Sequence, residues 1–205
     1  MKTLIIYNSQ TGFTEKYAKW LAEKLEAKCL SVKEAKNEKL ADYDRVIFGS
    51  WFCAESISKL NWFLPKIGDF LKDVNKKIAI FGCGASPIEN PDLKAFFQKT
   101  SNMIEEKFSQ KFDNLGIFYC PGGLNYEKMN TASKIAMKMF VKMLDSKKNK
   151  TEKDEIMVKR LSSSYDISDK RHIEPILEFV NQNHPSNGWF GQAYKARSPS
   201  KDLSP

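Results

Sequence analysis

Asn8-Ser9-Gln10-Thr11-Gly12-Phe13-Thr14-Glu15-Lys16-Tyr17-Ala18-Lys19 follows directly on the apolar run Leu4-Ile5-Ile6-Tyr7. The run reads as a strand and the residues after Gly12 as the opening of a helix, so the stretch is a strand-to-helix turn. Ser9, Thr11 and Thr14 set three hydroxyls around Gly12. Hydroxyls and backbone N–H groups at a helix N-terminus form a concave cluster of donors that suits a phosphate. No Lys or Arg lies between Asn8 and Glu15. A triphosphate loop of the G-x-x-x-x-G-K-[ST] kind carries a lysine. This loop therefore points to a monoester phosphate held by neutral donors. A capped turn without ligand is the plainer reading of any single Thr-Gly turn. The full Ser-x-Thr-Gly-x-Thr pattern behind a first strand argues against it.

Outward from this turn, apolar runs alternate with helical patterns. Strands are predicted at residues 3–7, 29–32, 45–49, 77–82 and 115–120. Residues 13–27 form an amphipathic helix, with Tyr17, Leu21, Ala22 and Leu25 near 3.6 spacing. Residues 60–74 read as a helix whose start or kink falls at Pro65. Residues 93–111 follow the cap-like Asn90-Pro91-Asp92, and 173–181 form a final helix. Such alternation implies a parallel sheet covered on both faces. Ligands bind outside the carboxyl ends of such strands. Those ends here are the hydroxyl loop, then Gly49-Ser50-Trp51-Phe52-Cys53-Ala54, then Gly82-Cys83-Gly84-Ala85-Ser86-Pro87. Glycines let backbone approach a flat heterocycle, and Trp51 and Phe52 offer stacking faces.

Composition narrows the class. The chain has 205 residues, 41% of them hydrophobic, enough for one domain with an extension. There is no apolar run long enough to span a bilayer, and Met1-Lys2-Thr3 does not have a signal-peptide layout, so a cytoplasmic protein is expected. Cys29, Cys53, Cys83 and Cys120 are widely spaced with no CxxC pair. They are expected to be reduced thiols rather than disulfides or metal ligands. The net charge is +8, and residues 121–160 contribute 10 basic and 5 acidic side chains to it. A local cationic segment suits an anionic partner or membrane surface, or is simply a solvated lysine face. His172 starts the final helix and His184 precedes a proline in a polar tail, so neither is assigned as a base.

The three loops resemble those of the flavodoxin family. Residues 9–14 look like its FMN phosphate loop. Residues 49–54 look like the first isoalloxazine loop, and Phe81-Gly82-Cys83-Gly84 looks like the start of the second. The resemblance covers about residues 1–125. It implies an α/β, flavodoxin-like, doubly wound five-stranded parallel sheet of order 2-1-3-4-5, with a helical insertion after strand 5. By that resemblance Ser9, Gln10, Thr11, Gly12, Phe13 and Thr14 hold the phosphate of non-covalent FMN. Ser50, Trp51, Phe52, Gly82, Cys83, Gly84 and Ala85 border the ring. The expected domain is residues 1–183, followed by a polar, flexible tail at 184–205.

The chain departs from electron-carrier flavodoxins in three ways. It is basic, its second ring loop has no aromatic residue, and it carries an insertion at about residues 124–170. The insertion, from Leu124-Asn125-Tyr126 onward, is similar to that of the flavodoxin-like, quinone-dependent protoporphyrinogen oxidases. Its core, 131–144, carries Lys134, Lys138 and Lys142 in an i, i+4 stripe, with Ile135, Met139, Phe140, Met143 and Leu144 over much of the rest. Such a helix can lie at a membrane interface, cover an apolar substrate, or pack as an ordinary helix. The resemblance implies an FMN-dependent oxidoreductase acting on protoporphyrinogen IX with a quinone acceptor. The alternative is an electron-transfer protein serving redox protein partners. Peripheral membrane association through 131–148 is expected, and nucleic acid is not an expected partner.

Overall fold

The structure, a computed structural model, describes residues 1–53 and 56–182, without the side chain of Cys53. The tail expected at 184–205, with His184, lies outside the described residues. The strands are β1 (Thr3–Asn8), β2 (Lys28–Ser31), β3 (Arg45–Cys53), β4 (Ser56–Ile57), β5 (Lys77–Gly84), β6 (Leu115–Pro121), β7 (Gly123–Leu124) and β8 (Tyr165–Asp166). The helices are α1 (Phe13–Leu25), α2 (Leu60–Phe63), α3 (Gly68–Leu71), α4 (Leu93–Phe108), α5 (Thr131–Asp145), α6 (Glu152–Leu161) and α7 (Glu174–Asn181).

Five parallel strands pair in the order β2-β1-β3-β5-β6, and the short β4 sits off this path as an antiparallel partner of β3. Without β4 in the count, this is the expected order 2-1-3-4-5. The central strands are continuous apolar runs because helices bury both of their faces. Alternate residues go to opposite faces. Leu4, Ile6, Val46, Phe48, Ile78 and Ile80 pack with Phe63, Phe70 and Phe96 from the α2–α4 side. Ile5, Ile47, Ala79 and Phe81 pack with Tyr17 and Leu21 of α1 and with Ile176 and Phe179 of α7. This layering turns the carboxyl ends of β1, β3 and β5 toward one rim.

Residues 60–74 do not form one helix. α2 ends at Phe63, a 3-10 turn spans Leu64–Lys66, and α3 restarts at Gly68. Pro65 has no N–H to donate to the preceding turn. The insertion begins and ends in a two-stranded clip: β7 and β8 pair antiparallel, with Gly123 opposite Asp166 and Leu124 opposite Tyr165. Gly123 has φ +149, and a Cβ there would lie 2.1 Å from the Tyr165 carbonyl oxygen, so only glycine fits beside β8. Between the two clip strands lie α5 and a second helix, α6, opened by a capping box between Thr151 and Asp154.

Candidate cofactor site

The hydroxyl loop lies at the rim between β1 and α1. Gly12, the N-cap, has φ +99, a left-handed turn that glycine takes without a Cβ penalty. Ser9 Oγ accepts from the Gly12 amide at 3.1 Å, which closes the loop on itself. The first helical bond runs from Lys16 N–H to the Gly12 carbonyl, so the amides just ahead of it have no acceptor within the helix. They face the anion-binding end of the macrodipole. Thr11, Gly12 and Phe13 line an open cleft of about 430 Å³ there. Thr14 is buried beneath, beside the Cys83 thiol. Gln10 turns its amide toward the insertion and donates to Ser133 Oγ at 3.0 Å.

The first ring loop continues β3. Ser50 is fully buried, and its hydroxyl accepts from Asn8 Nδ2 at 3.0 Å, while the same amide donates to Ser58 Oγ at 3.3 Å. Asn8 therefore ties the end of β1 to the end of β3. Trp51 and Phe52 point to opposite faces, as strand neighbours must. Phe52 sits edge-on to Phe96 at 4.5 Å and packs on the core. Trp51 is half-buried and has no ring partner among the described residues, which leaves it as the stacking candidate of the pair. Ala54 and the Cys53 side chain lie outside the described residues.

The glycines of the ring loops also meet a packing demand. At Gly49 an added Cβ would fall 2.0 Å from Phe81, at Gly82 2.8 Å from Phe96, and at Gly84 2.5 Å from Tyr119 Oη. Aromatic rings of the protein itself fill the space a side chain would need, so core packing also requires glycine at these positions. Cys83 is buried, and burial pushes its thiol up to about 12. Ala85 and Ser86 leave the sheet together. Two tyrosines from elsewhere hold them: Tyr119 Oη accepts from Ser86 N–H at 3.1 Å and donates to its carbonyl at 3.0 Å. Tyr165 of β8 donates to the Ala85 carbonyl at 2.6 Å. The loop lacks an aromatic of its own, as the sequence indicates, but the fold brings these two to it.

The insertion folds back onto the hydroxyl loop. Lys16 pairs with Asp166 at 2.8 Å and donates to Ser168 Oγ at 2.7 Å, Ile167 N–H bonds the Gly122 carbonyl, and Asp169 N–H bonds Tyr17 Oη. Asn125, Lys128 and Asp166 complete the cleft wall opposite α1. The Lys128 ammonium lies 3.7 Å from the position of a Cβ on Gly12, beside the loop. Along α5, Leu144 is buried, whereas Ile135 is 54% exposed, Met139 67% and Met143 57%, with Phe140 beside them. Leu144 thus belongs to the inner face and not to the apolar stripe outside. His172 is half-buried in the 3-10 turn Lys170–Ile173, and burial lowers its pKa. It does not line the cleft.

A hydroxyl-rich anion loop with two flanking loops at the carboxyl rim of a doubly wound sheet defines a mononucleotide-binding protein. The family model described as "Flavodoxin domain" matches residues 4–152. The chain belongs to the flavodoxin domain family. It is 35% identical over 119 residues to a flavodoxin of Maridesulfovibrio salexigens, covering 53% of this chain and 77% of that one. It is 32% identical over 128 residues to an uncharacterized protein of Methanocaldococcus jannaschii, covering 62% and 79% respectively. Similar solved structures include a flavodoxin from the domain Archaea, at 18% identity and TM-score 0.38, covering 78% of this chain and 93% of that chain. The two-electron reduced flavodoxin of Megasphaera elsdenii is another, at 17% identity and TM-score 0.42, covering 63% and 89%.

FMN is the cofactor of this family, and this chain is a flavodoxin-like FMN-binding protein. The site fits the group in three respects. The first amides of α1 offer donors for an anion, the cleft has room for a phosphate, and Trp51 offers an aromatic face beside the second loop. Residues 9–14, 50–52 and 82–85 come together on one rim.

Proposed function

We propose that this chain is an FMN-dependent oxidoreductase acting on an apolar, anionic small molecule, with protoporphyrinogen IX as donor and a quinone as acceptor. The observation that carries the reading is the outer face of α5. Ile135, Met139, Phe140 and Met143 recur at helical spacing and stay exposed, flanked by Lys138 and Lys142. An apolar stripe beside cations suits a dicarboxylate macrocycle, a lipid quinone and an anionic bilayer alike. The reading puts the protein in the cytoplasm, peripheral at the inner face of the membrane. No described helix is long and apolar enough to cross one.

Bound FMN supplies the redox chemistry. The chain's own residues bind and orient it. Asn8 and Ser50 lock the phosphate loop to the first ring loop. Tyr119 and Tyr165 fix the backbone of Ala85 and Ser86, where amides and carbonyls meet a ring edge. The likeness to a flavodoxin over 77% of its length favours a second reading, an electron-transfer protein that docks redox partners.

The FMN-loaded protein separates the two. Turnover of protoporphyrinogen with a menaquinone analogue supports the enzyme. Rapid exchange with a ferredoxin-type reductase, without small-molecule turnover, supports the carrier. Replacing Lys134, Lys138 and Lys142 together with Glu tests the surface. A lysine near anionic lipid is worth about 1 kcal/mol, so liposome partition should fall on the order of a hundredfold while FMN stays bound. Unchanged partition and unchanged turnover would make α5 a structural helix only.

A further inference from the structure

We propose that Lys128 is the counter-ion of the cofactor phosphate, delivered by the insertion to a loop that has no cation of its own. The proposal rests on FMN occupying the cleft at the N-terminus of α1. Three lysines line that cleft. Lys16 is neutralised by Asp166 at 2.8 Å, and Lys19 by Glu15 at 2.6 Å. Lys128 has no carboxylate partner among the described residues. Its ammonium is the remaining positive charge in the cleft, and it stands over Gly12, 3.7 Å from where a side chain on that residue would begin.

The backbone beneath Lys128 is held, so the placement is not that of a free surface chain. Lys128 N–H donates to Asn125 Oδ1 at 3.0 Å, and Met129 N–H bonds the Asn125 carbonyl. Tyr126 is fixed by Ser164 Oγ on its amide and by the Leu161 carbonyl on its hydroxyl. The Gln10–Ser133 bond then binds the start of α5 to the loop itself. A phosphate monoester near neutral pH carries between one and two negative charges. Seated on the α1 amides, it meets Lys128 from the solvent side. A charge-assisted bond there distinguishes FMN from riboflavin, which has the same ring and no phosphate.

Flavin titrations of the full chain test this, with FMN and riboflavin as probes. Lys128 is exposed, so substitution should leave the fold intact. Lys128→Met should weaken FMN roughly tenfold or more and leave riboflavin within about twofold, as loss of a charged hydrogen bond requires. Lys128→Arg should restore most of the FMN affinity. Lys148→Met, which removes the same charge away from the cleft, should leave FMN within about twofold. Raising salt from about 50 to about 500 mM should weaken FMN more in the wild type than in Lys128→Met. FMN affinity unchanged in Lys128→Met, or equal losses for FMN and riboflavin, would overturn the assignment while the flavin reading stands. A wild-type chain that binds neither flavin would overturn both.

Discussion

Gly84→Ala tests whether Tyr119 sets the second ring loop. A Cβ on Gly84 would lie 2.5 Å from Tyr119 Oη, 3.1 Å from Cε2 and 3.2 Å from Cζ. The hydroxyl must retreat by nearly an ångström to reach ordinary contact. Its bonds to the Ser86 amide and carbonyl, now 3.1 and 3.0 Å, then pass beyond hydrogen-bond range. Overpacking of this kind costs about 1–3 kcal/mol, and each lost bond about 1 kcal/mol. A destabilisation of roughly 4 kcal/mol is expected from those two effects. Tyr119→Phe alone should cost about 2 kcal/mol, by losing both bonds. In the double variant the clashing oxygen is absent and only the milder ring-carbon contacts remain. The total should then be roughly 3 kcal/mol, well below additivity. Urea unfolding of the four proteins, with matched slopes, measures the cycle. Additivity within about 0.5 kcal/mol would refute a steric link between Gly84 and Tyr119.

Burial raises the Cys29 thiol to about 11 and Cys83 to about 12, and raises Cys120 well above the ordinary thiol value. Near neutral pH these three should therefore resist alkylation in the folded protein and react after unfolding; rapid native labelling of Cys83 or Cys120, mapped by mass spectrometry, would contradict their burial. Asp154 is held at about 2 by Lys147 first and by the Thr151 amide and hydroxyl next. A carboxylate lowered in the folded state contributes stability above its unfolded value, and the contribution is lost as pH falls through about 2. Asp154→Asn should thus be less stable than wild type at pH about 5 and equal to it near pH 2; a gap that ignores pH would assign the loss to packing.

The sheet was legible because its strands are buried on both sides, and such strands are written as unbroken apolar runs like Ile78-Ala79-Ile80-Phe81. β3 runs four residues past the predicted end at Gly49. Trp51 pairs with Cys83, and Phe52 with Ile57, and such pairings depend on other strands rather than on local sequence. The hydroxyl loop was legible because its residues are contiguous. Lys128 was not, since only the return of the insertion sets it over Gly12. Tyr119 and Tyr165 reach Ser86 and Ala85 from 33 and 80 residues away, beyond any local pattern. α6 carries no clear apolar period because its ten residues are mostly charged, although Thr151 and Asp154 form the capping signal of a helix start. On α5 the apolar residues were evident in the sequence, but which of them faced inward was decided by packing.

The β7–β8 clip makes the insertion a segment that departs and returns through one doorway. Leu124 and Tyr165 are cross-strand partners, so the two ends stand about 5 Å apart. A loop with joined ends tolerates changes in length at little cost, about 0.6 kcal/mol per doubling. The sheet beneath need not register what hangs from the doorway. Residues 125–164 thus hang from the frame by one doorway: trimming them to a tight turn should remove α5, α6 and Lys128 from the protein and leave its strand order as it is.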